Sequence, residues 1–213
     1  MTPKTIALFV QHPKCSVQSC NGIIKALSPH YEFKLFTKHE IEDDFFDDVD
    51  LVAFPGGVGD SDNYDHLLKY HAKPIRNFIN SGGKYLGICM GAYWAGHHYL
   101  DVLDGVTCEQ YIKRPNSGIR RYYSKAIPVT WRGQPLHSFF YDGPTFIGNS
   151  NFNTIARYSN GDPMAIIQGN VGLIGCHMES EKFWYDKKYL EPYFHEGSHH
   201  KLLKNFVDQL VYG

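Results

Sequence analysis

Long apolar runs are missing from this chain of 213 residues. No stretch approaches the roughly 20 consecutive apolar residues that cross a bilayer as a helix, so no membrane partner is expected. An excess of charge is missing too. With 21 Lys and Arg against 22 Asp and Glu, the net charge is −1. A chain so balanced has no general pull toward nucleic acid or an acidic membrane surface, and nucleic acid is not expected as a partner. Cysteine is sparse and odd in number, at five, and too scattered for a disulfide framework. The segment before the first apolar run has no secretory h-region or cleavage site. These features point to a reducing, cytoplasmic setting. No internal repeat, low-complexity tract or linker divides the chain, so residues 1–213 read as one domain. The histidines His97, His98, His195, His199 and His200 lack the ligand spacing of a structural zinc site. Neither a metal nor a cofactor is called for.

What is present is a hydrophobic content of 43%, enough for a sizeable core. Thr5–Val10, Tyr31–Phe36, Asp50–Phe54 and Lys84–Ile88 read as strands of a parallel sheet. Between them, Pro13–Leu27 carries apolar residues at roughly helical spacing, Ile41–Asp50 is acidic and turn-like, and Pro74–Asn80 reads as a helix. Ala92–His98 is compatible with another helix. Strands alternating with helices predict an α/β fold with a doubly wound, mostly parallel sheet of the flavodoxin or Rossmann kind. Sites in such sheets lie beyond the carboxyl ends of the strands. The middle of the chain differs. Thr107–Tyr123 has no helical period. Lys125–Trp131, Thr145–Gly148, Asn153–Tyr158, Met164–Gln168 and Val171–Cys176 look like short strands, with turns at Arg132-Gly133, Asn160-Gly161 and Gly169-Asn170. His199–Tyr212 reads as a closing amphipathic helix.

The stretch Ser81–Gly96 organises the rest. It runs from paired glycines through a short apolar strand to Gly87-Ile88-Cys89-Met90-Gly91 and then a helix. A nucleophile-type residue on a sharp strand-to-helix turn is the layout of a nucleophile elbow. Cys89 sits on the turn, and the crowded positions two away on either side must be small. A helix starting there would favour thiolate at Cys89. The bland alternative is a buried cysteine on an ordinary turn. A thiolate nucleophile needs a base, and the base needs an orienter. His177 and Glu179 follow the strand Val171–Cys176, and side chains two apart on extended chain point the same way. Cys89, His177 and Glu179 therefore form a candidate triad. The backbone N–H groups of Met90 and Gly57 are candidate oxyanion donors, Gly57 lying in the Pro55-Gly56-Gly57 turn that ends the third strand.

Three segments in order resemble class I glutamine amidotransferase domains: Phe54-Pro55-Gly56-Gly57, Gly87-Ile88-Cys89-Met90-Gly91 and Gly175-Cys176-His177-Met178-Glu179. The N-terminal domain of eukaryotic-type biotin–protein ligases is more similar still. Its Gly-Gly-x-Tyr-Leu-Gly-Ile-Cys-x-Gly-x-Tyr is matched by Gly82–Tyr93. The resemblance implies a class I glutamine amidotransferase-like fold, the catalytic roles above, and substrate contacts from Gly56 and Tyr93. Two positions depart from the pattern. Relatives that use glutamine typically carry Gln where this chain has Tyr93, and Pro where it has Met178. No Gly-Arg-Gly-rich biotin-adenylate loop is present, so biotin ligation is not carried over. The expected function is a cysteine-dependent amidase or hydrolase acting on a small-molecule amide or carboxylate-bearing substrate. An acceptor or synthetase partner protein would receive any ammonia. The alternative is a binding or regulatory module that keeps the elbow without turnover. The peptidase and chaperone branch of the superfold ranks lower, because it places histidine where Met90 stands.

Two further features stay open at this level. The tract Lys113, Arg114, Arg120 and Arg121 with Tyr111, Tyr122 and Tyr123 is either a loop that reads an anionic substrate beside Cys89 or a solvated loop. Cys15 and Cys20 are either paired or small packing residues.

Overall fold

The computed structural model describes residues 3–42, 44–149 and 151–213. In its first half β1 (Thr5–Phe9), β2 (Glu32–Phe36), β3 (Leu51–Phe54) and β4 (Lys84–Ile88) alternate with α1 (Val17–Leu27), the single turn α2 (Tyr64–Leu67) and α3 (Ala72–Asn80). After β4 comes a short α4 (Met90–Trp94). The second half is almost all strand: β5 (Val106–Gln110), β6 (Lys125–Trp131), β7 (Gln134–Phe140), β8 (Pro144–Gly148), β9 (Asn153–Tyr158), β10 (Pro163–Gln168) and β11 (Val171–Ile174). Helix α5 (Ser198–Tyr212) closes the chain.

Among the described residues one sheet has nine strands in the order β2-β1-β3-β4-β11-β10-β9-β6-β7, and β5 pairs with β8 beside it. The run from β2 to β11 is parallel. From β11 to β7 every pairing is antiparallel. The sheet is therefore mixed, not mostly parallel as the alternation of the first half suggested. Tight turns cause this, because a hairpin reverses the chain without a crossover helix. At Arg132-Gly133 both residues have positive φ, 47° and 82°, as a two-residue turn of the primed kind requires. The turn was legible in the sequence, but its return strand β7 was not. Pro135 within it is tolerated because β7 lies at the sheet edge.

Helices cover both faces. Leu86 of β4 is the register partner of Gly172 of β11, and a Cβ on Gly172 would meet Leu210 and Phe206 of α5. The adjacent Gly87 points the other way and abuts Gly91 and Ala92 of α4. Strand side chains alternate, so α4 and α5 pack on opposite sides. With both faces covered, β1, β3 and β4 can be nearly continuous apolar strands. Two other boundaries differ from expectation. The helix expected over Ala92–His98 is Met90–Trp94 and ends as Gly96 N–H bonds back to Tyr93 O at 3.0 Å. Thr107–Gln110 of the irregular tract belongs to β5. Ile41–Asp50 is turn-like as read, with Asp43 outside the described residues. Its Phe46 stacks on Phe78 at 5.0 Å. Among the described residues no helix is long and apolar enough to cross a membrane.

Helix α1 is pressed unusually close to the chain leaving β11. A Cβ on Gly22 would lie 2.3 Å from the Glu179 carbonyl oxygen. In an isolated helix Gly→Ala gains about 1 kcal/mol. Here overpacking costs about 1–3 kcal/mol, so Gly22→Ala should lower stability in urea unfolding, reversing the ordinary sign.

Candidate active site

Cys89 stands between the end of β4 and α4 with φ 51° and ψ −103°. A positive φ on a residue with a Cβ is strained and persists only where the surroundings impose it. Here they do. Cys89 N–H donates to Ile174 O of β11 at 2.9 Å, and Gly91 N–H to Pro55 O at 3.1 Å. The turn is wedged between the ends of two neighbouring strands. A Cβ on Gly87 would sit 2.4 Å from Gly91 O, and one on Gly91 would sit 2.1 Å from Phe54 O. The small residues flanking Cys89 are thus a packing requirement.

His177 and Glu179 leave β11 on extended chain. His177 Nδ1 and Glu179 Oε1 are 2.8 Å apart. The two side chains are buried, at 6% and 0% exposure by residue. Ser19 of α1 donates its hydroxyl to the same Oε1 at 2.7 Å and accepts the Gly56 N–H at 2.9 Å. Met178, between them, points to the other side. Its sulfur lies in the core and accepts from Ser138 Oγ at 3.4 Å. The departure from Pro therefore leaves the His–Glu pair aligned. The Cys89 side chain lies beside the His177 imidazole. Burial would push that imidazole down, but the Glu179 carboxylate and Cys89 outweigh it and raise its pKa to about 10.

Three supports of this arrangement were not found in the sequence. Ser19 sits in a helix with nothing to distinguish it from a small core residue. Phe139 of β7 accepts the His177 N–H at 2.8 Å, and its ring lies edge-on to the imidazole at 6.0 Å. Trp184 packs on the same imidazole at 5.2 Å. Only the Ser16-to-Ser19 N-cap bond left a local signal, that of a helix start.

Gly56 and Gly57 lie where the third strand ends. A Cβ on Gly56 would come 2.7 Å from His177 Cε1. Gly57 forms a bridge with Cys15, whose bonds run from Ser16 N–H to Gly56 O and from Val58 N–H to Lys14 O. The Gly57 amide stays outside that pairing. Gly57 is packed against Met90, whose sulfur would lie 1.9 Å from a Cβ there. Met90 opens α4, so its amide has no acceptor one turn back within the helix. Tyr93 donates its hydroxyl to the Asp142 backbone oxygen at 3.1 Å. Burial, then the neighbouring Cys89 and Asp142, push its phenol pKa up, so it remains a neutral donor.

The other features fall outside this constellation. Cys15, Cys20, Cys108 and Cys176 are free thiols, and burial raises all four, Cys20 and Cys108 to about 12. His195 stacks on His199 at 4.2 Å, and His195 and His200 both turn Nε2 to the Ser180 oxygen. Burial, with the neighbouring His195 and His200, depresses His199 to about 3. Among the described residues no group of His, Cys, Asp and Glu could hold a metal ion. A surface cleft lined by Lys4, Asp50 and Lys84 opens at the amino ends of the strands. It lies at the end of the sheet opposite Cys89.

Residues 11–104 match the family model described as biotin-protein ligase, N terminal. Comparison with curated proteins finds no match. Solved structures are similar over the whole length. A glutamine amidotransferase from Thermotoga maritima superposes with a TM-score of 0.70 at 13% identity, over 100% of both chains. A second glutamine amidotransferase gives 0.67 at 15% identity, over 98% of this chain and 99% of that one. PurLQS from Thermotoga maritima gives 0.66 at 16%, again over 98% and 99%. Likeness at such identity concerns the fold. This chain therefore carries the biotin-protein ligase N-terminal family pattern over residues 11–104, on a mixed α/β fold shared with class I glutamine amidotransferase-like structures.

Proposed function

We propose that this protein is a cysteine-dependent amidase, with Cys89 on a nucleophile elbow and a Cys89–His177–Glu179 triad. The observation that carries the reading is the strained turn at Cys89, which holds its side chain beside a buried imidazole–carboxylate pair 2.8 Å apart. Cys89 Sγ attacks the amide carbonyl carbon as the thiolate partner of a protonated His177, whose Nε2 already holds the proton while Nδ1 is committed to Glu179. The Met90 and Gly57 amides stabilise the oxyanion. As the C–N bond breaks, His177 delivers its proton to the leaving nitrogen. Water then attacks the thioester, giving up a proton to His177. The carboxylic acid leaves as the thiolate is expelled, and the Cys89–His177 pair is restored. Glu179 keeps the imidazolium oriented throughout, and Ser19 keeps Glu179 in register with the Gly56-Gly57 turn. Gly56 forms the floor beside His177.

Tyr93 supports a narrower substrate range than glutamine. Its hydroxyl is engaged by the Asp142 loop, where glutamine-using relatives typically carry an amide side chain. The same engagement favours a second reading, a binding or regulatory module without turnover.

Intact-protein mass after brief exposure to iodoacetamide and to a diazo-ketone analogue of glutamine separates these readings. Selective iodoacetamide addition to Cys89 at neutral pH, lost in Cys89→Ala and slowed in His177→Ala, is the expected result. The burial that raises the other four thiols keeps them silent. An adduct with the diazo-ketone would extend the substrate range to glutamine. A Cys89 inert to both reagents would sink the amidase.

The His177 pKa yields a second prediction. Its folded value near 10 exceeds the ordinary 6.5. Its contribution to stability is therefore complete below about 6.5 and is lost as pH climbs through about 10. NMR titration of the His177 ring should show protonation persisting well above neutrality. Glu179→Gln removes the dominant charge and should move the midpoint down. Ser19→Ala, which frees the carboxylate from its anchor, should slow Cys89 alkylation without unfolding the chain.

A further inference from the structure

The basic, tyrosine-rich tract is not absorbed by the triad. Residues 110–141 contain six Lys or Arg and no Asp or Glu, in a chain that is otherwise acidic. This segment does not float free. Its start is pinned by Tyr111, stacked on Tyr158 at 3.6 Å. Ser117 Oγ bonds the carbonyls of Ile112 and Ile119. Arg114 is consumed internally by Glu109 and Asp162. Lys113, Arg120 and Arg121 are different. They are exposed, and no ion pair among the described residues includes them. A built loop thus displays three cations outside any ion pair among the described residues, with Lys113 close enough to act on the Asp142 carboxylate.

Their place is beside the Cys89 site. Tyr111 N–H bonds Gly143 O at 3.3 Å, and Gln110 Nε2 bonds Asp142 Oδ2 at 2.6 Å. The Tyr93 hydroxyl, one turn beyond Cys89, bonds the same Asp142 backbone. The ring of Tyr122, next to Arg121, lies 6.4 Å from that of Tyr141, next to Asp142. Tyr122 and Tyr141 are 62% and 47% exposed. The acid in this loop is turned inward, with Oδ2 held by Gln110 and Oδ1 buried, so it does not display its charge on the rim. Arg presents a fork matched to carboxylate or phosphate, and the exposed hydroxyls of Tyr122 and Tyr141 are further donors to an anion.

We propose that Lys113, Arg120 and Arg121, with Tyr122 and Tyr141, form an anion-binding rim that selects substrates carrying a carboxylate or phosphate group away from the scissile amide. This rests on the reading of Cys89 as a nucleophile and names the substrate class of that site. Two chloroacetamide probes of equal size, chloroacetyl-glutamate and its neutral diamide, test it by their alkylation rates at Cys89. The anionic-to-neutral rate ratio should exceed one at low ionic strength and collapse in high salt, since exposed charges are screened. It should fall about three- to tenfold in Arg120→Gln/Arg121→Gln. Calorimetric titration with acetyl-glutamate and with inorganic phosphate gives a readout independent of the thiol, and the tighter of the two identifies the anion. Binding lost in the double variant supports the rim even where Cys89 is inert, an outcome that would remove the amidase alone. A rate ratio near one, or a ratio and binding unchanged in the double variant, overturns the rim.

Discussion

A carboxylate held away from water must be paired, or its burial costs several kcal/mol. Glu179 is wholly buried, and the ways it is paired bring the site together. One bond goes to His177, two residues away on the same extended chain. The other goes to Ser19 of α1, which reaches on to the Gly56 amide at the end of β3. A single oxygen thus joins the exit of β11, the start of α1 and the glycine turn. The close contact of Gly22 with the Glu179 backbone prevents the helix from backing away. Loss of the charge at Glu179 would loosen all three segments, whereas loss of the imidazole alone would leave an unpaired buried anion.

The two halves of the sheet divide the labour. The parallel half places the ends of β3 and β4 side by side, so the Gly56-Gly57 turn and Cys89 emerge at one edge, the edge where α/β sheets carry their sites. The antiparallel half holds His177 in place. Strand β7, at the far edge, sends Phe139 to bond the His177 backbone. The ring of Phe139 and that of Trp184 then leave the imidazole little freedom to turn. The strain at Cys89 is borne by two strands and a helix together, as a pre-organised site requires.

The loop from Tyr141 to Gly143 forms the wall facing this site. It receives Tyr93 on one side and Gln110 on the other, and the cationic tract is built onto it. At the wall, the Tyr93 phenol is already engaged by the Asp142 backbone. The wall also brings cations to the rim. On the proposed reading of the site, these two features suit a substrate that is held by its charge.

The sequence by itself determined the parts that local chemistry dictates. The apolar runs of β1, β3 and β4 can only be strands covered on both faces. The glycines around Cys89 announce a turn too crowded for side chains. The spacing of His177 and Glu179 puts both on one side of extended chain whatever surrounds them. Tertiary structure decided the rest. Strand β7 carries Pro135 and polar residues and takes its form from pairing with β6, a contact with no trace in its own pattern. The antiparallel half of the sheet follows from hairpins whose turns, but not their partners, are local. Ser19 looks like any small residue in a helix until folding sets it against a glutamate 160 positions away. Long-range polar pairing leaves no periodicity for a sequence reading to detect, because neither partner's neighbours need to know of the other.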